Sequence, residues 1–70
     1  MIKFENPANK RFYYLSIKRD IFNDLILCVT YGGFNISRTR IIAFSDYNSL
    51  QHELKKLFKR RINRGYLRVI

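Results

Sequence analysis

The sequence predicts an α+β domain in which a small antiparallel sheet is covered by one helix in its C-terminal half. Three observations carry that prediction. Arg11–Lys18 and the stretches on both sides of Gly32-Gly33 alternate with the period of two that half-buried strands show. Leu50, Leu54, Leu57 and Phe58 recur at the i, i+4, i+7, i+8 spacing of one helical stripe. Seventy residues with 47% hydrophobic content support one thin core, so a single domain over 1–70 is expected. That content also excludes a disordered tail.

Met1–Lys10 reads as an irregular lead-in, because Asn6, Pro7 and Asn9 favour turns and Pro7 has no amide to donate. Arg11–Lys18 (RFYYLSIK) follows as a strand. Tyr13, Leu15 and Ile17 face the core, and Phe12, Tyr14, Ser16 and Lys18 lie on the opposite face. Arg19–Asn23 connects to a second strand that runs from Asp24 or Leu25 to Tyr31. Gly32-Gly33 is expected as a two-residue hairpin loop, since glycine takes positive φ at both central positions. Phe34–Phe44 returns, with Arg38, Arg40 and Ile42 on one face and Ser37, Thr39, Ile41 and Ala43 on the other.

Ser45 and Asp46 both suit the N-cap of the helix. Tyr47 and Ile62 extend its apolar stripe, while Lys55, Lys56, Lys59, Arg60 and Arg64 fall on the remaining arc. Arg61 stands inside the stripe and is expected to snorkel out at the helix end. Gly65 occupies the place of a left-handed C-terminal cap. Tyr66–Ile70 is compatible with a short last strand, so the layout is β-β-β-α with or without a final β.

Catalytic chemistry is hard to assemble from these residues. His52 and Cys28 are the sole residues of their types, and neither sits in a motif. His52 falls on the solvent arc of the helix, and Cys28 reads as an apolar filler in mid-strand. Asp46 is better used as a cap, and Asp20 and Asp24 as turn residues. Gly32-Gly33 lacks the Lys-Ser/Thr that would make a phosphate-binding loop. No catalytic residue, metal site or cofactor is expected. One cysteine cannot form an internal disulfide, which fits a reducing, cytoplasmic setting. The apolar runs Leu25–Val29 and Ile41–Phe44 are far shorter than the roughly 20 residues that span a bilayer. Neither a signal peptide nor membrane insertion is expected.

Charge is the strongest signal. Fourteen Lys and Arg against five Asp and Glu give a net charge of +9. The sum is +4 over residues 1–19, −2 over 20–54 and +7 over 55–70. Six Lys and Arg lie between residues 55 and 64 with no interleaved acid. A field of that strength on so small a body calls for an anionic partner. Nucleic-acid phosphates bind Lys and Arg by charge and by hydrogen bonding. Phe12 and Tyr14, near Lys10, Arg11 and Lys18, are candidate stacking residues on the face away from the helix. Their alternative is cover by Ile2 and Phe4 of the lead-in.

The series NKRFYYLSI, DIFNDLILCVTYGG and FSDYNSLQHELKKLFKRRINRGY resembles the WGR domain over roughly Asn9–Tyr66. This small domain occurs in DNA-dependent poly(ADP-ribose) polymerases and in bacterial proteins, sometimes alone. Lys10, Phe12 and Tyr13 match the family's opening strand, and Asp20, Phe22, Asn23 and Asp24 loosely match its first turn. Arg60, Arg61, Arg64, Gly65 and Tyr66 match its basic helix end and Gly-Tyr. The resemblance implies an antiparallel sheet with one helix packed across it. The naming tripeptide Trp-Gly-Arg falls on Tyr31, Gly32 and Gly33, so only the glycine is kept. In DNA-binding members the Trp and Arg positions approach the end of a strand. Tyr31 can still stack on a sugar, whereas Gly33 supplies no guanidinium. Arg38 and Arg40, soon after a shortened loop, are candidates to replace it.

The sequence therefore points to a non-enzymatic module that binds nucleic acid, DNA in preference to RNA. Lys55, Lys56, Lys59, Arg60 and Arg64 would line the phosphates, helped by Arg38 and Arg40, with Tyr31 at a strand end. Binding of DNA would associate the protein with the nucleoid. The alternative is a protein-interaction module that docks its positive face on an acidic partner protein.

Overall fold

Alternation governs the N-terminal residues as well. In the computed structural model, which describes residues 1–70, Ile2–Asn6 forms strand β1, so the expected irregular lead-in is a strand. Phe4 and Asn6 are buried on one side, while Lys3 and Glu5 flank Tyr14 on the other. The turn signals that concealed this strand belong to residues 7–10, where Lys10 takes a φ of 61° and donates its amide to the Asn6 carbonyl.

The chain continues through β2 (Arg11–Arg19), β3 (Leu25–Gly33), β4 (Ile36–Phe44), α1 (Tyr47–Asn63) and β5 (Leu67–Arg68). All pairings are antiparallel, and the sheet order is β4-β3-β2-β1-β5. The first four strands form a meander. The helix then returns along the sheet and delivers the short fifth strand to the far edge beside β1.

Gly32 and Gly33 are not the hairpin loop. Both lie in β3, opposite Ser37 and Ile36, and the two-residue loop is Phe34-Asn35. Asn35 supplies the left-handed residue with a φ of 62°, a conformation that asparagine tolerates. The glycine at position 32 answers a different need. A Cβ there would run into the main chain of Ile36 and Ser37.

Leu50, Leu54 and Leu57 of the helix pack on Phe4, Tyr13, Leu15, Leu25, Leu27 and Val29 of the sheet. Leu27 and Leu15 lie at the centre, and burying a side chain of that size contributes about 1.5–3 kcal/mol. Tyr47 and Ile62 do not extend the stripe and are 60% and 55% exposed. Arg61 takes the place in the core that Ile62 was expected to share. No element packs on the other sheet face, where Ile26 alone is buried. Cys28 is half-buried there, opposite Ser16 and Ile41, and is not a core filler.

Asp46 caps the helix, accepting the Ser49 amide at 2.8 Å and the Ser49 hydroxyl at 3.1 Å. These bonds favour the carboxylate and hold its pKa below the ordinary 3.8. At the other end Gly65 has a φ of 86°. Its amide bonds to the Ile62 carbonyl and that of Tyr66 to the Arg61 carbonyl, the paired pattern of a Schellman cap. The reversal sends Tyr66 into the core. Buried Asn6 ties β1 to this end, its amide donating to the Arg64 carbonyl at 3.2 Å.

Candidate functional site

The C-terminal half of the helix does not lie flush on the sheet. It leaves a groove of about 610 Å³ against the start of β2, the end of β3 and the start of β4. Arg11, Arg38 and Arg40 enter it from the strands, and Arg60, Arg61 and Arg64 from the helix. Glu53 is the single carboxylate among its lining residues. A concave site with six cations and one anion focuses a strong positive potential.

The floor is built from tyrosines around one buried cation. Arg61 is only 8% exposed, and its guanidinium carbon lies 4.3 Å from the Tyr13 ring centre and 5.3 Å from that of Tyr66. It does not snorkel. Two electron-rich ring faces hold it in place, each cation–π contact being worth about 0.5–2 kcal/mol. Its Nε is buried with no hydrogen-bond partner. Burial raises the Tyr13 pKa, with the cations of Arg61, Arg40 and Arg60 opposing the shift, so the phenol keeps its proton. Tyr31 stacks on Tyr13, with ring centres 6.0 Å apart and planes 29° from parallel.

The structure divides the residues expected from sequence into two groups. Tyr31, Arg38, Arg40, Arg60 and Arg64 meet in the groove. Lys55, Lys56 and Lys59 are exposed outside it, and Lys56 and Lys59 line a shallow depression on the outer flank of the helix. Helical spacing explains the split. At about 100° per residue, Arg60 and Arg64 border the apolar stripe, whereas Lys55 and Lys59 sit on the back. Phe12 and Tyr14 do face away from the helix, with ring centres 4.8 Å apart. Phe4 does not cover them, because it lies in the core. Lys3 stands over the Tyr14 ring, and the Tyr14 hydroxyl donates to Glu5. Partial loss of solvent and the Glu5 carboxylate raise that phenol's pKa.

Two groove cations were missed in the sequence. Arg61 carried a signal, a cation inside an apolar stripe. Arg11 carried one only after pairing is known: its Cγ lies 3.4 Å from where a Gly33 side chain would begin. Thus a guanidinium-bearing side chain from β2 passes over the position where the tripeptide has lost its arginine.

Fold and groove together define a small α+β domain with one arginine-lined concavity. No cluster of three or more His, Cys, Asp or Glu residues stands ready to hold a metal. No helix is long and apolar enough to cross a membrane. The chain belongs to the WGR domain family, whose model matches residues 1–69. That family is of a nucleic-acid-binding, not a catalytic, type. No curated protein and no solved structure matches the chain.

Proposed function

We propose that this WGR domain binds nucleic acid, DNA in preference to RNA, by seating backbone or strand-end phosphates in the arginine groove. The observation that carries this reading is the convergence of six arginines, against a single carboxylate, on one concave groove. Guanidinium–phosphate hydrogen bonds are charge-assisted and often bidentate, so the exposed arginines of the rim suit phosphate oxygens. DNA is favoured on the precedent of the family. No element is positioned to read base edges, so little sequence specificity is expected.

Fluorescence anisotropy on duplex DNA at about 50 and 200 mM salt tests the reading. Neutralising about five phosphates gives a slope of log K against log salt near −4 to −5. A slope close to zero overturns it, and absence of binding at the lower salt reassigns the groove to an acidic protein partner.

A second result follows from Gly33. Its backbone is outside the left-handed region, and the nearest obstacle to a Cβ is the flexible Arg11 side chain. Gly33→Arg therefore fits and adds a cation at the groove. Binding tightens, and the salt slope steepens by about 0.9 for one added phosphate contact. An unchanged slope means that the new arginine merely displaces Arg11.

A further inference from the structure

The tip of the β3–β4 hairpin carries a phenylalanine that the core does not use. Phe34 is 87% exposed, yet it borders the groove together with Arg11 and Arg38. Lone exposed apolar residues are common and carry no message by themselves. The position of this one is informative, because its ring stands at the mouth of the most cationic concavity of the molecule.

The ring is also presented on a fixed support. The loop is only two residues long, with Asn35 in the left-handed region. Behind it, Gly32 packs so closely on the Ile36 carbonyl that no side chain fits between them. The other aromatic rings nearby are already engaged. Tyr31 is half-buried and stacked on Tyr13, and Tyr13 and Tyr66 hold Arg61. Phe34 alone among the groove's rings has so much of its surface open to solvent.

We infer that Phe34 is the groove's stacking platform, and that it selects nucleic acid with an unpaired base next to the bound phosphates. The inference rests on the function proposed above and deepens it. Base pairs inside a duplex have both faces covered by their neighbours, and the one open face of a blunt end looks along the helix axis, not toward the phosphate-lined flank. An unpaired base at an overhang has a free face, and aromatic side chains stack on it without regard to sequence. Arginine–phosphate contacts position the backbone, while the ring separates frayed or overhanging ends from blunt ones.

The test measures anisotropy on three probes: a blunt duplex, the same duplex with a short overhang, and that overhang made abasic. The wild type is expected to prefer the overhang, and the abasic probe to bind like the blunt one. Phe34→Ala should lose about 5- to 150-fold on the overhang, the range of one base–aromatic stack, and nothing on the blunt duplex. Its salt slope stays that of the wild type because no charge is removed. The chain has no tryptophan, so Phe34→Trp introduces a single reporter whose fluorescence should be quenched by the overhang alone. If Phe34→Ala matches the wild type on every probe, or the preference survives on abasic DNA, the stacking role is wrong while phosphate binding stands. If the wild type binds no probe, both fall.

Discussion

Gly32→Ala should cost the domain most of its stability and all of its groove. A Cβ at Gly32 would collide with the Ile36 carbonyl group and come within 3.0 Å of the Ser37 Cα. These obstacles are backbone atoms of the paired strand, so no rotamer change relieves them. The strands must part at Gly32↔Ser37, which loosens the neighbouring pairs Gly33↔Ile36 and Tyr31↔Arg38. Overpacking typically costs about 1–3 kcal/mol, and an obstacle made of main chain belongs at or beyond the upper end. A 70-residue domain has about 3.5–10 kcal/mol in all. A loss near 3 kcal/mol lowers the melting temperature by about 12–24 °C in a chain of this size. Thermal unfolding followed by circular dichroism measures it. Gly33→Ala is the control, since its Cβ meets nothing closer than the Arg11 side chain at 3.4 Å. A Gly32→Ala protein that melts within a few degrees of that control would show that the hairpin adapts.

That glycine illustrates what sequence reading could and could not reach. A Gly-Gly pair between two strands suggests positive φ, whereas here the requirement at Gly32 is an absent Cβ. Dihedral preferences are local and legible, but close approach across a ladder depends on register. Strand β1 was hidden for a related reason. Asn6, Pro7 and Asn9 are turn residues, and they do make a turn, but Ile2 and Phe4 before them already alternate with Lys3 and Glu5. The helix was the most legible element, because its signals are all short-range: the leucine stripe, the Asp46 cap and Gly65.

The candidate site was half legible. Its charge was obvious, and the i, i+4 relation of Arg60 and Arg64 beside the stripe separates them from Lys55 and Lys59 on the back. The tyrosine cradle was not legible. Tyr13 and Tyr66 are separated by most of the chain and meet only because β1 lies between β2 and β5 and the helix cap turns Tyr66 inward. Arg11 came to the groove by the same route of strand pairing. Resemblance to the family agreed with the fold read from the residues but directed attention to Tyr31 and Gly33. In the structure the open ring is Phe34, and the nearby cation is Arg11.

Removing Arg38, Arg40 and Arg64 together should weaken DNA binding far more than removing Lys55, Lys56 and Lys59. Each triple alanine variant lowers the net charge by three, from +9 to +6. Attraction by a diffuse positive field would therefore fall equally in both. Contact in the groove makes them unequal. A hydrogen bond to a charged group contributes about 1.5–3 kcal/mol, so the groove triple should lose on the order of 10²–10³-fold after allowance for non-additivity. Its salt slope should flatten by about 2.7, three phosphate contacts' worth, while the outer triple changes it by less than about 1. All six side chains are exposed, so both variants should melt near the wild type and the comparison is free of unfolding. Equal losses in the two variants would move the binding surface from the groove to the whole basic face. Loss confined to the groove triple would leave the lysines of the outer helix as a field that speeds encounter without holding the ligand.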